Sequence, residues 1–575
     1  MTIEFKQLGN YNGNIVNTIL TNREIKDIHL FLNPDGSSNS NPFDIENIIE
    51  AIRLFAKHVS INSRMAIVVD ADADGFMSSS MMYQYAKSIN SNLVIDYIIH
   101  ESKAHGLSDQ IMTKLSAELY DLVIIPDAGS NDGEQIKKLY ELGSEVIVLD
   151  HHIIEEMSEF GVIVNNQLGD KANKNLVGAG VVLKFCQAID TAYKINNSEK
   201  LIDLAAVGQV ADASDISENE VRNLVFAGIK NLNNKFLKEA LIKKEMMFPV
   251  PKDLSFSVIP MINAVIRVGT LEEKELLFRA INDIDPQIYI VDKKKKNKET
   301  KKFDKIKVNM NLQQYAVDTA IRCKARQDAA VKKAVIQAEA NVWNDGGVAI
   351  IVTEVEEKFA SLTGLIATKM VNKLQKPVLL LRDKDKSYSG SGRGYEKTMS
   401  SLKDWCQDTN AVEFAQGHDQ AFGLKLALKD LDLIKTAAKK VTARDFCYEV
   451  DYVSHGEVDV ELIREVDKYK YIFGGRVNDP LFAYVGIEIS KNDIRTKGTI
   501  LSFFKNGVEF VMYGTTPEYQ AQFVDGFDRS HTLDFIGRPG VNNWLGKESE
   551  QIVLEAVDFT AEETEDEITE FNIIF

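Results

Sequence analysis

Cysteine, membrane-spanning runs and a leader-like segment are all scarce or missing in this 575-residue chain. Its four cysteines, Cys186, Cys323, Cys406 and Cys447, lie far apart and form no CxxC pair. This spacing argues against a disulfide framework and against a thiolate zinc site. No apolar run reaches the length of about eighteen residues that a transmembrane helix requires, and the opening MTIEFKQLGN lacks the layout of a signal peptide. We therefore expect a cytoplasmic protein without membrane contact.

Basic residues are also in deficit. The chain carries 67 Lys and Arg against 85 Asp and Glu, a formal net charge of -18. That excess alone argues against a nucleic-acid partner, because phosphate binding uses clustered cations. Net charge is a weak guide here, since much of the excess sits in the acidic motifs below and at the end of the chain. A basic run from Lys293 to Lys305 predicts either a solvated loop or a phosphate contact.

Acidic and histidine residues follow apolar runs at four places in the chain. They are Asp70, Asp72 and Asp74 after MAIVV, Asp127 after DLVIIP, Asp150, His151 and His152 after EVIVL, and Asp212 after LAAVGQVA. We interpret these runs as strands of an open parallel sheet, in which the loops at the carboxyl ends of neighbouring strands converge on one crevice. The four clusters are therefore expected to share a single site.

Carboxylates gathered in one crevice repel each other strongly at low effective dielectric unless cations neutralise them. An aspartate after a strand is often only a helix N-cap, and each cluster taken singly is open to that interpretation. Three carboxylates between Asp70 and Asp74 exceed what a cap requires. The pattern therefore predicts a metal site, and oxygen-rich ligation with one or two imidazoles favours Mn²⁺ or Mg²⁺ over zinc.

The order of these motifs resembles the DHH phosphoesterase superfamily and, within it, the RecJ family of exonucleases specific for single-stranded DNA. The residues that carry the resemblance are DADADG at 70–75, Asp127-Ala128-Gly129, Asp150-His151-His152 and Ala211-Asp212. The resemblance implies two ions, Mn²⁺ or Mg²⁺, about 4 Å apart. It assigns the metal ligands as Asp72, Asp74, Asp127, His151 and Asp212. It assigns catalytic roles to His152, at the scissile phosphate or leaving oxygen, and to Asp70 beside the ligands.

Two later segments resemble the substrate domain associated with DHH proteins. Tyr388-Ser-Gly-Ser-Gly-Arg393-Gly is similar to a GSGR signature, and Gln416-Gly417-His418 is similar to a GGH signature. The resemblance implies substrate binding by Ser391, Gly392, Arg393 and His418. Glycines let a backbone approach an anion, so together with the other motifs we predict a substrate-binding loop at 389–394. Taken alone, the segment is more typical of a surface loop. Arg267, in PMINAVIRVG, matches the family more loosely and is a further substrate-binding candidate.

Three departures from the family pattern are visible. Val69 stands where glycine usually precedes the first aspartate, and Gln416 replaces the first glycine of GGH. PMINAVIRVG lacks the double alanine followed by glycine. None of these changes removes a predicted ligand, so they concern the substrate path and processivity rather than the hydrolytic step.

The expected fold class is α/β. Strand-like and helical segments alternate from 65 to 166 and predict a doubly wound parallel-sheet DHH domain over 1–250. A helical connector over 251–340, with a long helix at about 306–340, leads to a smaller α/β DHH-associated domain over 341–435. A charged linker over 436–470 precedes an OB-like β-barrel over 471–560, which short strand-like runs predict. The acidic tail over 561–575 ends the chain.

The predicted function is metal-dependent hydrolysis of single-stranded DNA by a processive 5′-to-3′ exonuclease that releases mononucleotides in recombination, repair or replication. The barrel would extend the grip on the strand by stacking bases on aromatic rings. The candidate rings are Phe503, Phe504, Tyr513 and Trp544, of which about half are expected to fill the barrel core instead. We expect a monomer, with single-stranded DNA as its main partner.

Three further points stay open at this stage. A DHH phosphodiesterase for short oligoribonucleotides or cyclic dinucleotides would share the metal motifs, but such proteins typically end after the second domain. A replication scaffold that has lost its metals would not retain every motif residue. The end of the tail, Phe571 to Phe575, either packs on the barrel or binds a single-strand-binding or other replication or repair protein.

Overall fold

The computed structural model describes residues 3–296, 303–384, 386–442, 446–474, 477–524, 530–544 and 547–560. The chain forms two compact units. The terminal unit comprises Met1–Leu32, Glu396–Ser400 and Thr442–Phe575, so far as these ranges are described. The central unit comprises Asn33–Tyr395 and Ser401–Val441. The finer domain boundaries expected from the sequence stay a prediction, and the acidic tail at 561–575 lies outside the described residues.

The elements follow in chain order. The terminal unit starts with β1 (Phe5–Gln7), α1 (Ile15–Asn22) and α2 (Ile28–Leu32). The first part of the central unit has α3 (Ile48–Ser60), β2 (Met65–Val69), α4 (Ala73–Ile89), β3 (Ile95–Ile99), α5 (Asp109–Ala117), β4 (Leu122–Pro126), α6 (Gly133–Glu141), β5 (Glu145–Asp150), β6 (Val162–Asn165), α7 (Gly178–Tyr193) and α8 (Ile202–Ala211).

A helical region follows, with an inserted pair of strands. It contains α9 (Asn219–Lys230), α10 (Lys235–Lys243), α11 (Pro251–Asp253), α12 (Ile259–Val268), α13 (Leu271–Asn282), β7 (Tyr289–Lys296), β8 (Phe303–Met310) and α14 (Leu312–Ala340). The central unit continues with β9 (Val342–Trp343), β10 (Ala349–Thr353), α15 (Thr363–Leu374), β11 (Val378–Lys384), β12 (Ser387–Arg393), α16 (Leu402–Asp408), β13 (Phe414–His418), β14 (Ala421–Ala427) and α17 (Leu431–Lys439).

The rest of the terminal unit is mostly strand. It contains β15 (Tyr448–Val450), β16 (Tyr452–His455), α18 (Val460–Lys468), β17 (Phe482–Ile489), β18 (Ile494–Lys497), β19 (Ile500–Lys505), β20 (Val508–Tyr513), α19 (Pro517–Val524), β21 (His531–Trp544) and β22 (Lys547–Phe559). The segment expected to be a linker thus contains two short strands, of which β15 pairs with β1 and β16 pairs with β17.

The first sheet of the central unit confirms the predicted parallel architecture. Its strand order is β3-β2-β4-β5-β6, and every neighbouring pair is parallel. Ala66, Val68, Val123 and Ile125 face one core, where Ile111 of α5 and Ile136 of α6 pack. The intervening residues of β2 and β4 are equally buried. Helices therefore cover both faces, which explains why the strands read as continuous apolar runs.

Three local predictions were wrong. LAAVGQVA lies in α8, so Asp212 follows a helix, because a helix buried on all sides reads like a buried strand. The predicted glycine loop is the strand β12, in which a Cβ at Gly390 would overlap Leu380 and one at Gly392 would overlap the Phe422 ring. Glycine therefore serves close approach between neighbouring strands there. The long connector helix starts at Leu312 behind the Asn311 cap, and 303–310 form a strand.

The seven-stranded sheet of the terminal unit has the order β16-β17-β21-β22-β20-β19-β18. Most of its pairs are antiparallel, which agrees with an OB-like domain, but across the described residues the ladder has two ends and does not close into a barrel. Phe503 is fully buried against Phe523 and Phe535, so it is one of the candidate rings that fill the core and is not available for stacking.

Two other candidate rings are more accessible. Phe504 lies under the Arg495 guanidinium, 4.4 Å from the ring centroid, and Tyr513 is 57% exposed. The side chain of Trp544 lies outside the described part of the chain. Within that part, no helix combines the length and the apolar character needed to cross a membrane.

A buried ion pair fixes α7 to α9 in the central unit. The Lys184 ammonium contacts Glu220 and donates to the carbonyl of Ser40 at 2.7 Å, and Asn173 donates to Glu220 at 2.9 Å. Both charged side chains are almost fully buried. Removing one partner leaves an uncompensated buried charge, which is strongly destabilising. Replacing both partners by apolar residues of similar volume changes the free energy of unfolding much less.

We expect Lys184→Met to lower the free energy of unfolding by about 3–5 kcal/mol in chemical denaturation. The double variant Lys184→Met/Glu220→Met should recover most of that loss, because neither charge then stays buried alone. Lys200→Met, at an exposed lysine, is the matched control. A single variant within about 1 kcal/mol of the parent would contradict this account.

Candidate metal centre and substrate-binding residues

The turn after β2 sets three carboxylates in different environments. Asp72 is the N-cap of α4, where its Oδ1 accepts a hydrogen bond from the Gly75 amide at 2.9 Å. The capping interpretation is therefore correct for Asp72, which still leaves its other oxygen for a ligand. Asp74 lies buried in the first turn of α4, and Asp70 is buried at the end of the strand.

Asp74 and Asp127 form a buried carboxylate pair. Asp74 Oδ1 accepts a hydrogen bond from the Ala179 amide at the start of α7, at 3.1 Å. Asp74 Oδ2 and Asp127 Oδ1 are buried without a hydrogen-bond partner among the described residues. Burial, then the charge of Asp212, raises the pKa of Asp74 to about 8, and burial together with Asp74 raises the pKa of Asp127 well above its usual range. Both oxygens lack the counter-charge that a buried carboxylate requires.

The backbone around this pair is built to make room for it. Asp127 has a φ of 68°, in the left-handed region that few residues other than glycine adopt. A Cβ at Gly178 would overlap the Asp127 carboxylate, and a Cβ at Gly208 would overlap Asp74 and Ala179. Strain of this kind persists where the surrounding structure enforces it, and it clusters at functional sites. Gly178 and Gly208 therefore bound the carboxylate site.

In the motif Asp150-His151-His152, the aspartate is held by hydrogen bonds from the protein itself. Asp150 accepts hydrogen bonds from the amide of His151 at 2.7 Å, from the amide of Ser130 at 3.1 Å and from His152 Nδ1 at 2.7 Å. Burial alone would raise the pKa of Asp150, but the bond from His152 and the nearby imidazoles hold it below its usual range. Asp150 thus orients the two histidines and is saturated by protein donors.

The two histidines differ in environment. His151 Nε2 lies 3.4 Å from Asp127 Oδ1 and 3.8 Å from Asp212 Oδ2. Burial lowers the pKa of His151 to about 4, so its imidazole is neutral near pH 7, the form that binds metals. The hydrogen bond to Asp150 raises the pKa of His152 to about 9. Because its Nδ1 is engaged by Asp150, His152 presents Nε2 at the rim of the site.

His105, on the loop after β3, and Lys274, on α13, lie near the site and belong to none of the sequence motifs. His105 Nδ1 lies 2.6 Å from Asp70 Oδ2, and the Gly106 amide donates to Asp70 Oδ1 at 2.9 Å. The buried Lys274 holds the start of this loop by donating to the carbonyls of His100 at 2.9 Å and Glu101 at 2.7 Å. The sequence signal was faint, since His105 belongs to no motif quoted above and lies between strand and helix.

Two potential metal-binding groups result within the crevice. Oxygen and nitrogen atoms of Asp74, Asp127 and His151 lie within 4.8 Å of one another, as do those of Asp70, Asp72 and His105. Asp150, His151 and His152 also meet this distance, but Asp150 is engaged by backbone amides. Burial raises the pKa of Asp212 to about 6, and its carboxylate lies within ion-pair distance of His151. The predicted ligands therefore converge, in two adjacent groups.

Three cations lie within electrostatic reach of one another, and Lys103 and Arg267 also lie within reach of Asp72. The pKa values of Arg267 and Arg393 are lowered, first by desolvation and for Arg393 also by the charge of Arg267. Lys103, on the same loop as His105, has its pKa lowered by desolvation and then by Arg267. None of the three forms an ion pair with an acidic side chain in the described part of the protein. Such a cluster of like charges, beside Asp72, fits an anionic group.

The remaining predicted substrate residues lie close by on β12 and β13. Ser391 Oγ lies 2.9 Å from the Thr363 hydroxyl, at the start of α15. Gly392 precedes Arg393 at the end of β12, and Arg393 donates to the Gly392 carbonyl at 2.7 Å. His418 ends β13 and is close enough to lower the pKa of Asp212. The second sheet of the central unit thus brings its signature residues to the acidic crevice of the first.

Replacing Asp127 by asparagine should stabilise the metal-free protein. The amide removes repulsion with Asp74 and keeps a residue that tolerates a positive φ. We expect the melting temperature in EDTA to rise by about 2 °C or more, and added Mn²⁺ to stabilise the parent more than the variant.

Asp203→Asn serves as the control, because the Asp203 carboxylate is buried yet accepts bonds from the amides of Leu204, Asn233 and Asn234. That variant should melt at a lower temperature than the parent. If Asp127→Asn is destabilised in EDTA to the same extent, the unpartnered carboxylate pair is not a source of repulsion.

Comparisons with known proteins agree with this architecture. Residues 64–209 match the family model described as the N-terminal domain of the DHH family. A protein of Bacillus subtilis strain 168, named as the SPbeta prophage-derived single-strand DNA-specific exonuclease YorK, is 32% identical over 96% of this chain and 97% of its own length. The single-stranded-DNA-specific exonuclease RecJ of the same organism is 24% identical over 91% of this chain and 65% of its own length.

Solved structures show the same fold. The crystal structure of RecJ in complex with Mn²⁺ from Thermus thermophilus has a TM-score of 0.68 and 17% identity, and the similarity covers 90% of this chain and 72% of that chain. The Mg²⁺ complex from the same organism has a TM-score of 0.67 and 16% identity, over 95% of this chain and 75% of that chain. With the similarity to YorK extending over nearly the whole chain, the protein belongs to the DHH family, in the group of RecJ-related exonucleases.

Proposed function

We propose that the protein is a metal-dependent exonuclease that hydrolyses the phosphodiester bonds of single-stranded DNA. The observation that carries the proposal is the buried pair Asp74 and Asp127, with His151 in reach and two carboxylate oxygens lacking a partner among the described residues. The cations Arg267 and Arg393 lie within electrostatic reach of each other, and Arg267 also lies within reach of Asp72. A phosphate can approach these carboxylates only if bound cations neutralise them and arginines bind its oxygens.

The donor set fits Mn²⁺ or Mg²⁺. Asp74, Asp127, His151 and Asp212 would hold one ion, and Asp72 with its uncapped oxygen would hold the second together with Asp127. When bound, two such ions supply an activated water and neutralise charge on the attacking and leaving oxygens. Oxygen donors dominate this set, which favours these ions over zinc. RecJ crystal structures that share this fold were determined with the same two ions.

The chain's own residues would orient the substrate. Arg393 offers a planar fork to two phosphate oxygens, with Arg267 adding charge on the same side. At Ser391 and Gly392 the end of β12 would lie against the backbone of the DNA strand. His418 would line the crevice near Asp212. His152, held through Nδ1 by Asp150, would donate from Nε2 to the scissile phosphate or leaving oxygen. Asp70 would fix His105 at the edge of the ligand set.

Single-stranded DNA is the substrate named for YorK and RecJ, to which the chain is similar over most of its length. The 5′-to-3′ direction, processivity and the release of mononucleotides are proposals that rest on the family resemblance. Monomeric state, cytoplasmic location and a protein partner for the acidic tail likewise stay predictions from the sequence.

The decisive experiment follows 5′-labelled and 3′-labelled strands of DNA and RNA incubated with Mn²⁺ or Mg²⁺. Labelled mononucleotide released at once from the 5′-labelled DNA strand, with slower loss of the 3′ label, supports the proposed polarity. Preference for oligoribonucleotides of a few residues or for cyclic dinucleotides would favour the short-substrate phosphodiesterase. Intact strands under every metal condition would leave only a scaffold role.

Loss of one predicted ligand should abolish hydrolysis. We expect Asp127→Ala and His151→Ala to reduce the rate at least a hundredfold while the circular dichroism spectrum is unchanged, because one ion-binding function contributes several kcal/mol to transition-state stabilisation. Asp170→Ala, at an exposed aspartate elsewhere in the central unit, should retain the parent rate. Activity of either ligand variant within tenfold of the parent would reject the assignment.

Arg393→Ala should act mainly on binding. Loss of one phosphate contact raises KM and makes the logarithmic dependence of affinity on salt shallower by about 0.7 for a single strand. Lys369→Ala, at an exposed lysine on α15, is the control that should change neither quantity. An unchanged KM and salt dependence for Arg393→Ala would show that this arginine serves only the structure of β12.

A further inference from the structure

The loop after β5 carries both histidines of the site and is held by asparagine side chains. From His151 to Gly161 it contains neither helix nor strand. Backbone carbonyls in such a loop need partners outside the regular ladders. Asn165, at the end of β6, and Asn131, in the turn between β4 and α6, supply two of these partners. Both asparagines therefore act on the backbone of this loop.

Asn165 holds the backbone carbonyl of His152. Its Nδ2 donates to that carbonyl at 2.9 Å and to Ser130 Oγ at 2.9 Å. Its Oδ1 accepts a hydrogen bond from the Gln167 amide at 2.7 Å. The side chain is fully buried, so both ends of its amide are engaged within the protein. The backbone at His152 is thereby tied to the ends of β4 and β6.

Asn131 holds the two residues that follow on the same loop. Its Nδ2 donates to the Ile153 carbonyl at 2.9 Å, and its Oδ1 accepts a hydrogen bond from the Glu155 amide at 2.8 Å. The side chain thus pairs with the loop as a neighbouring backbone strand would. Asn131 lies in the turn that begins with Asp127, and it is itself exposed. The turn of the buried carboxylate and the loop of the histidines are therefore joined through this residue.

The His152 ring depends on this backbone for its position. Its side chain is 56% exposed, and its ring lies against the His151 ring with centroids 4.4 Å apart. Asp150 fixes the amide of His152 at 3.2 Å and its Nδ1 at 2.7 Å. Few side chains surround an exposed ring, so a shift of the loop backbone would move Nε2 with it. A displacement of about 1 Å in a reacting group can lower a rate about a hundredfold.

We propose that Asn131 and Asn165 are positioning residues, which hold His152 where its Nε2 reaches the scissile phosphate or the leaving oxygen. This inference rests on the proposed function, in which His152 donates to one of these oxygens. Within the described structure, neither asparagine side chain forms a hydrogen bond with a predicted metal ligand. Their loss should therefore slow the chemical step while metal binding and substrate binding are preserved.

The test compares Asn131→Ala with Asn196→Ala. Both asparagines are exposed, and Asn196 donates to Glu199 at 2.8 Å beyond the end of α7, so each variant removes a surface side chain with a hydrogen bond. Hydrolysis of 5′-labelled single-stranded DNA with Mn²⁺ gives kcat and KM, and calorimetry gives the affinity for Mn²⁺ without DNA. We expect Asn131→Ala to lower kcat about tenfold or more, with KM and Mn²⁺ affinity within about twofold of the parent. Asn196→Ala should retain all three values.

A double-mutant cycle separates positioning of His152 from a general structural effect. In a His152→Ala background, assayed at high protein concentration, Asn131→Ala should change kcat by less than about twofold, because the ring that it positions is absent. Asn131→Asp keeps the acceptor for the Glu155 amide and loses the donor to the Ile153 carbonyl, so its kcat should lie between those of Asn131→Ala and the parent. Asn165→Ala should lower kcat at least as far as Asn131→Ala. If this buried variant does not fold, the Asn131 variants still decide the proposal.

Three results would overturn the positioning role. The first is a kcat of Asn131→Ala within about twofold of the parent, and the second is an equal loss of kcat in the His152→Ala background. If the His152→Ala rate is below detection, the kcat of Asn131→Ala alone decides. The third is a loss of Mn²⁺ affinity that matches the loss of rate, because the loop would then position His151.

Failure of this inference is distinguishable from failure of the proposed function. A parent protein that hydrolyses no strand under any metal condition rejects the exonuclease assignment itself. An active parent with an unchanged Asn131→Ala variant rejects only the positioning role of the asparagines.

Discussion

Electrostatic repulsion between buried carboxylates is the constraint on which the rest of the site depends. Asp74 and Asp127 lie together where the parallel sheet ends, and each has an oxygen without a partner in the described structure. A folded chain keeps such a pair only if a proton or a cation lies between the carboxylates. The space around the two carboxylates is kept open by the surrounding residues. Gly178 and Gly208 have no side chain to fill it, the start of α7 donates to Asp74, and His151 beside it is neutral.

Hydrogen bonding distinguishes structural carboxylates from candidate ligands. Asp150 and Asp203 are as deeply buried as Asp127, but backbone amides saturate them. Asp72 is intermediate, since one oxygen caps α4 and the other stays available. Asp70 is held by His105 and the Gly106 amide. Residue type alone does not separate these roles, because each is an aspartate that follows or precedes a buried element. The number of hydrogen-bond donors around each carboxylate oxygen separates them.

The acidic composition of the chain and its proposed DNA substrate are compatible because charge acts locally. Lys103, Arg267 and Arg393 come from three separate parts of the central unit and lie within electrostatic reach of one another, beside Asp72. Such an arrangement attracts a phosphate to the carboxylate side only when the carboxylates are neutralised by bound cations. The local charges around the site, rather than the net charge of the chain, therefore decide whether a phosphate can approach.

The sequence by itself determined the parallel sheet, its strand order of appearance and the identity of the acidic and histidine motifs, because β-branched runs and strand-end aspartates are local signals. It also indicated the signature residues Arg393 and His418. Only the tertiary structure decided that Asp212 follows a helix, since burial on all sides hides periodicity. It also decided that 389–393 lie in a strand and that 289–296 pair with 303–310. It alone brought His105, Lys103 and Lys274 to the site, because contacts between residues distant in sequence leave no pattern in a single chain.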